Sequence, residues 1–116
     1  MHLPLTPEVL RQGYEFLAAC APFNKWNLPQ GEDVKFIVSR DPRTMAWHNC
    51  KRGRHTIAVS SKCVSHLDTL TEALAHEMIH LHMTLAGMNT TGEHNAAFYK
   101  LASKVAAILG FDPKRF

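Results

Sequence analysis

The stretch from Asp68 to Ala86 constrains this chain more than any other part of it. It carries Leu70, Leu74, Met78, Ile79, Leu81, Met83 and Leu85 with no proline and no glycine until Gly87. An uninterrupted run of this kind predicts a helix. Its apolar positions fall nearly all round the helix instead of along one stripe, so it is expected to be central in the fold, with protein on every side. Thr69 and Glu72 have capping-box spacing at its start, and Gly87 supplies a stop at its end. In the middle of this apolar run stand three ionisable groups, His76, Glu77 and His80. Such groups are costly to bury unless they are paired or bound to a cation.

The spacing of the three groups, His-Glu-x-x-His, says which cation chemistry to expect. Residues four apart lie one turn apart on a single helix face, so both imidazoles can reach one ion at about 2.0–2.1 Å. Glu77 projects beside them, where its carboxylate can act as general base toward a metal-bound water. A catalytic zinc site normally has three protein ligands and one open position. His94 is the candidate for the third, because it follows the glycine-containing turn Met88-Asn89-Thr90-Thr91-Gly92. An antiparallel return of the chain there would bring it back over the first pair. Glu93 is the rival ligand, with a helix N-terminal carboxylate as its other role. Zinc's affinity for imidazole favours His94. The longer variant of the motif, with glycine and histidine at fixed later steps, is excluded by Met83 and Ala86.

Eight histidines in 116 residues raise the chance of accidental motifs, so each remaining one needs its own reading. His82 points to a different face from His80 and reads as a core or surface residue. His48, His55 and His66 lie on or beside expected strands and read as structural or solvated. Tyr99 could donate to a developing oxyanion, but its spacing among Phe98, Leu101, Ala102 and Val105 reads as packing.

The rest of the chain supplies a small α+β frame. Thr6-Pro7 reads as an N-cap and first turn, and Val9, Leu10, Tyr14, Leu17, Ala18 and Ala21 continue at helical spacing toward Pro22. Strands are expected at Val34–Ser39, Met45–Asn49 and His55–Ser60, separated by the turn Asp41-Pro42-Arg43 and the basic loop Lys51-Arg52-Gly53-Arg54. A last helix is expected from Glu93 to Leu109, ending at Gly110. The predicted architecture is a three-stranded, mostly antiparallel sheet packed with three main helices. With 46% hydrophobic residues over this length, one core and one domain, residues 1–116, are expected.

Charge and cysteines narrow the setting. A formal charge of +3 permits an acidic partner without requiring one. Cys20, Cys50 and Cys63 form no CxxC pair and read as free thiols of a reducing cytoplasm. No signal peptide and no membrane-spanning run is apparent, so a soluble protein with no membrane contact is expected.

Leu74-Ala75-His76-Glu77-Met78-Ile79-His80 and Gly92-Glu93-His94-Asn95-Ala96-Ala97-Phe98 carry a family resemblance. The chain resembles SprT-like proteins, a zincin-type metallopeptidase group that includes the DNA–protein crosslink protease Spartan. Trp26-Asn27-Leu28-Pro29 and Ile57-Ala58-Val59-Ser60 also look familial. The resemblance implies a zincin-like fold, zinc held by His76, His80 and His94, and Glu77 as the catalytic glutamate. It further implies that Ile57, Ala58, Val59 and Ser60 form an edge strand against which an extended substrate peptide pairs. Relatives often carry a cysteine-rich zinc ribbon after this region. The present sequence reads as a minimal form without one, so DNA association is an expectation the ribbon does not support.

Two functions follow as expectations. The first is zinc-dependent hydrolysis of a protein or peptide by an endopeptidase-type mechanism, with Glu77 as general base. The second is a zinc-stabilised, non-catalytic module that binds protein or nucleic acid. Its phosphate-facing patch would include Arg52 and Arg54, with Arg40, Arg43, Lys51 and Lys62 nearby.

Overall fold

Thr6 stands where the sequence places it, its side-chain oxygen accepting from the Val9 amide at 3.1 Å, and α1 runs Pro7–Ala18. The computed structural model describes residues 4–88, 94–114 and 116. After α1 come two short 3-10 turns, Phe23–Lys25 and Gly31–Asp33, then β1 (Val34–Ser39), β2 (Ala46–Lys51), β3 (Arg54–Ser60), α2 (Leu67–Ala86) and α3 (Ala96–Leu109). Among the described residues no helix is long and apolar enough to cross a membrane.

The three strands form one sheet in the order β1-β3-β2. β2 and β3 are joined by a two-residue turn, Arg52-Gly53, with φ of 53° and 78° at the two positions. Left-handed backbone at both central residues is the turn geometry that matches strand twist, and it makes this pair antiparallel. β1 pairs with the other side of β3 and runs parallel to it. The sheet is therefore mixed, which corrects the expectation of a mostly antiparallel one. β3, which lies between two strands adjacent in sequence, is the most buried of the three: Ile57, Ala58 and Val59 are all fully buried.

The same placement overturns the expectation that Ile57, Ala58, Val59 and Ser60 form an edge strand. Their backbone is engaged on both sides, by Phe36 to Ser39 of β1 and by β2 through Ala46, Trp47 and His48. The register continues at Ser60, whose amide donates to the Met45 carbonyl at 2.8 Å. The Ser60 hydroxyl donates to the Asp41 carbonyl at 2.6 Å. This serine ties down the β1–β2 connection. The edges of the sheet are β1 and β2.

α2 is longer than its capping signals implied. It begins at Leu67 with His66 as N-cap, so Thr69 and Glu72 lie inside the helix and make no capping box. Ten of its residues are buried, and it packs against α1, β2, β3 and α3. The approach to α1 is close at Gly13, where an added Cβ would stand 2.7 Å from the Leu74 side chain. Tyr14 and Phe36 meet edge to face at 5.5 Å, closing the core between α1 and the sheet. The Tyr14 hydroxyl donates to the Pro29 carbonyl at 2.6 Å.

Gly87 ends α2 in the left-handed region at φ 68°, donating to the carbonyls of Met83 and Thr84. Nothing lies within 4 Å of a Cβ added there, so the cost of a side chain at this position is purely conformational. Gly87→Ala is expected to lower unfolding stability by about 1 kcal/mol, read from the urea midpoint. An unchanged midpoint would contradict this reading of the helix end.

Candidate metal centre

His76 and His80 project from one face of α2, as residues four apart must. His94 reaches them from the segment before α3. Asn95 holds that segment, its Oδ1 accepting from the Phe98 amide at 3.0 Å and its Nδ2 donating to the Met88 carbonyl at 2.8 Å. One amide side chain thus caps α3 and ties it to the end of α2. α3 begins at Ala96, later than expected, and Glu93, the rival ligand, lies outside the described residues.

The three imidazoles converge through the same ring atom. Nε2 of His80 is 3.3 Å from Nε2 of His76 and 3.1 Å from that of His94, and the third side of the triangle is 3.3 Å. Three nitrogens bound tetrahedrally to one ion at about 2.0–2.1 Å stand about 3.3–3.4 Å apart. The triangle fits that spacing closely. Without a cation it is a poor arrangement, because three neutral rings cannot satisfy three mutually facing nitrogens with in-line N–H donors. Among the described residues this is the group of histidine, cysteine, aspartate and glutamate side chains able to hold a metal ion.

Phe98 is the common support of the three rings. Its centroid lies 4.9 Å from His76, 4.7 Å from His80 and 4.7 Å from His94, and its plane is stacked on His80 at 17°. Phe98 is buried in the core, so the rings rest on a fixed wall. Glu77 is 5% exposed and borders a cleft of about 250 Å³. Met45, Ala46, Glu72, His76 and Phe116 line the same cleft. The motif gave no sign of the other walls, which come from the start of β2 and the segment after α3.

Burial favours the neutral ring at His80 and at His76. Burial pushes His80 down to about 4, helped by the neighbouring histidines His76, His94 and His48. Burial lowers His76 as well, against the opposing effect of its hydrogen bond to Phe116. Neutral imidazole is the form that binds a metal.

The remaining histidines separate by environment. His82 stacks on Trp26 with centroids 4.3 Å apart at 23°, a packing role that also accounts for Trp26. His66 sits at the N-terminus of α2. His48 and His55 are hydrogen-bonded at 2.9 Å between Nε2 and Nδ1. Burial first, and then His55, push His48 down to about 4. His48 in turn helps to lower His80. Tyr99 packs in part, its ring meeting Phe98 edge to face at 5.6 Å while the residue stays 61% exposed. Arg52 and Arg54 are both exposed, at the tip of the β2–β3 hairpin.

These features define a class: a small α+β protein with a three-histidine centre able to hold a metal ion. The chain belongs to the SprT-like family, whose model matches residues 15–115. That span includes all three histidines, and together they point to a metal-dependent function. No curated protein and no solved structure matches.

The lowered pKa values carry a pH signature. The free chain protonates histidine near pH 6.5. His80 and His48 in the folded protein resist protonation down to about 4. Between these values the unfolded state binds more protons, so stability falls as pH falls. The metal-free protein is expected to keep this stability above about pH 7 and to lose it progressively from about pH 6.5 toward pH 4. Urea midpoints that stay level across that window would count against buried, neutral histidines.

Proposed function

We propose that the chain is a zinc-dependent metallopeptidase that cleaves protein or peptide chains internally. On this reading residues 1–116 are one zincin-like domain, with α2 as the active-site helix. His76, His80 and His94 are the zinc ligands and Glu77 is the general base. The observation that carries the reading is the Nε2 triangle, with edges of 3.1–3.3 Å, two of its corners on a helix whose buried carboxylate Glu77 borders a cleft. An all-imidazole donor set suits zinc, and three protein ligands leave a position for substrate or water.

Zinc, when bound, would polarise the scissile carbonyl and activate the attacking water. The protein's own groups do the rest. Glu77 accepts the proton and passes it to the leaving amine. Phe98 keeps the three rings oriented. An extended substrate would add to the sheet at β2, whose outer side is the edge and whose first residue, Ala46, borders the cleft. This role passes from Ile57–Ser60 to β2. Three free cysteines agree with a reducing compartment such as the cytoplasm.

Glu77→Gln is expected to retain stoichiometric zinc and to lose about 10²–10⁴-fold in peptide cleavage. His94→Ala is expected to lose zinc. Full cleavage by the first variant, or unchanged zinc content in the second, would contradict these roles.

A second reading, binding of nucleic acid, is favoured by one observation. The sheet face carrying Lys35, Trp47, Lys51 and Arg54 forms a shallow groove of about 310 Å³, with Arg52 at the adjoining turn. An indole among cations can stack a base while the cations meet phosphates. Single-stranded DNA is the probe. Affinity falling steeply with salt and lost in Trp47→Ala is the expected result, and absence of binding at about 50 mM salt would dismiss this reading.

A further inference from the structure

Among the described residues His76 is the member of the triad whose second ring nitrogen has a protein partner. Its Nδ1 lies 3.1 Å from the main-chain oxygen of Phe116, 40 residues along the chain. A main-chain oxygen only accepts, so Nδ1 carries the proton, and a neutral imidazole protonated there keeps its lone pair on Nε2. Nε2 is the atom turned toward His80 and His94.

Phe116 is held by its own contacts. Gly110, at φ 80°, turns the chain off the end of α3, and the Phe111 amide donates to the Ala106 carbonyl at 3.0 Å. The Phe116 amide donates to the Asp112 carbonyl at 3.1 Å, closing a single turn. Its ring packs on Phe111 with centroids 5.1 Å apart and stands edge-on to His76 at 5.9 Å. Both phenylalanines pack against the core. The oxygen that meets His76 is therefore set by the fold.

We propose that Phe116 is a positioning residue of the metal centre, its main-chain oxygen selecting the His76 tautomer that presents Nε2 to the ion. The turn after α3 then contributes to metal affinity without supplying a ligand. Free imidazole exchanges between two tautomers, and only one leaves Nε2 available. A partner that fixes it spares the metal that selection. Loss of such a partner typically weakens metal binding by about 10–100-fold. The proposal rests on the metal-centre reading above.

Three proteins test it: the wild-type chain, a chain ending at Arg115, and Phe116→Ala, which keeps the main-chain oxygen and removes the ring. ¹⁵N chemical shifts of the His76 ring report its tautomer in metal-free protein, and competition with a chromophoric chelator reports zinc affinity. The proposal expects an Nδ1–H ring in wild type and in Phe116→Ala. It expects loss of that preference in the shortened chain, with zinc binding weaker by about 10-fold or more. Overturning results are an Nε2–H ring in the wild-type protein, or a folded shortened chain with unchanged tautomer and zinc affinity. If the shortened chain fails to fold, the tautomers of the other two decide. A wild-type chain that takes up no zinc counts against the proposed function instead, and the tautomer, read without metal, still decides for or against Phe116.

Discussion

The convergence of three imidazole nitrogens on one point sets the terms for the rest of this molecule. Like dipoles facing one another at 3.1–3.3 Å are unfavourable in the absence of a cation. The fold must hold them there by packing. It does so with Phe98 beneath all three rings and with α2, whose buried surface leaves His76 and His80 no other face to occupy. Asn95 does the corresponding work for His94, joining the end of α2 to the start of α3 by two hydrogen bonds.

The sheet serves the same centre from the other side. Inserting β3 between β1 and β2 buries its Ile57, Ala58 and Val59 and leaves β2 at an edge, alongside α2. Ser60, Ser39 and Asp41 cross-link the β1–β2 connection, through Ser60 Oγ to Asp41 and the Ser61 amide to Ser39 at 2.9 Å. That connection ends at Met45, a wall of the cleft. One side of the cleft thus belongs to a helix carrying a buried carboxylate and two of the histidines. The other belongs to the start of β2, an edge strand of the sheet.

Much of this was legible before any coordinates, for physical reasons that differ from element to element. α1, the three strand segments and the Gly87 and Gly110 stops announce themselves through local rules of capping, alternation and left-handed backbone. His76 and His80 are legible because helical period alone brings them together. His94 was favoured over Glu93 by zinc's affinity for imidazole together with the family resemblance, since local rules alone leave its approach open. The order of the strands was not legible. β-branched enrichment marks Ile57 to Ser60 as a strand, but which strand takes the middle is decided by burial on both faces, a tertiary outcome. The contacts of Phe116 with His76 and of His48 with His55 were silent for a related reason. A main-chain oxygen 40 residues away has no side-chain signature, and a cross-strand histidine pair appears only once the register is known.

The central claim is the coordination of a zinc ion by these three rings, and X-ray absorption at the zinc edge of the purified, zinc-loaded protein tests it most directly. The account predicts a first shell of nitrogen and oxygen only, near 2.0–2.1 Å, with the outer-shell scattering of about three imidazoles. Sulfur scattering at about 2.3 Å, or a shell with one imidazole or none, would contradict it.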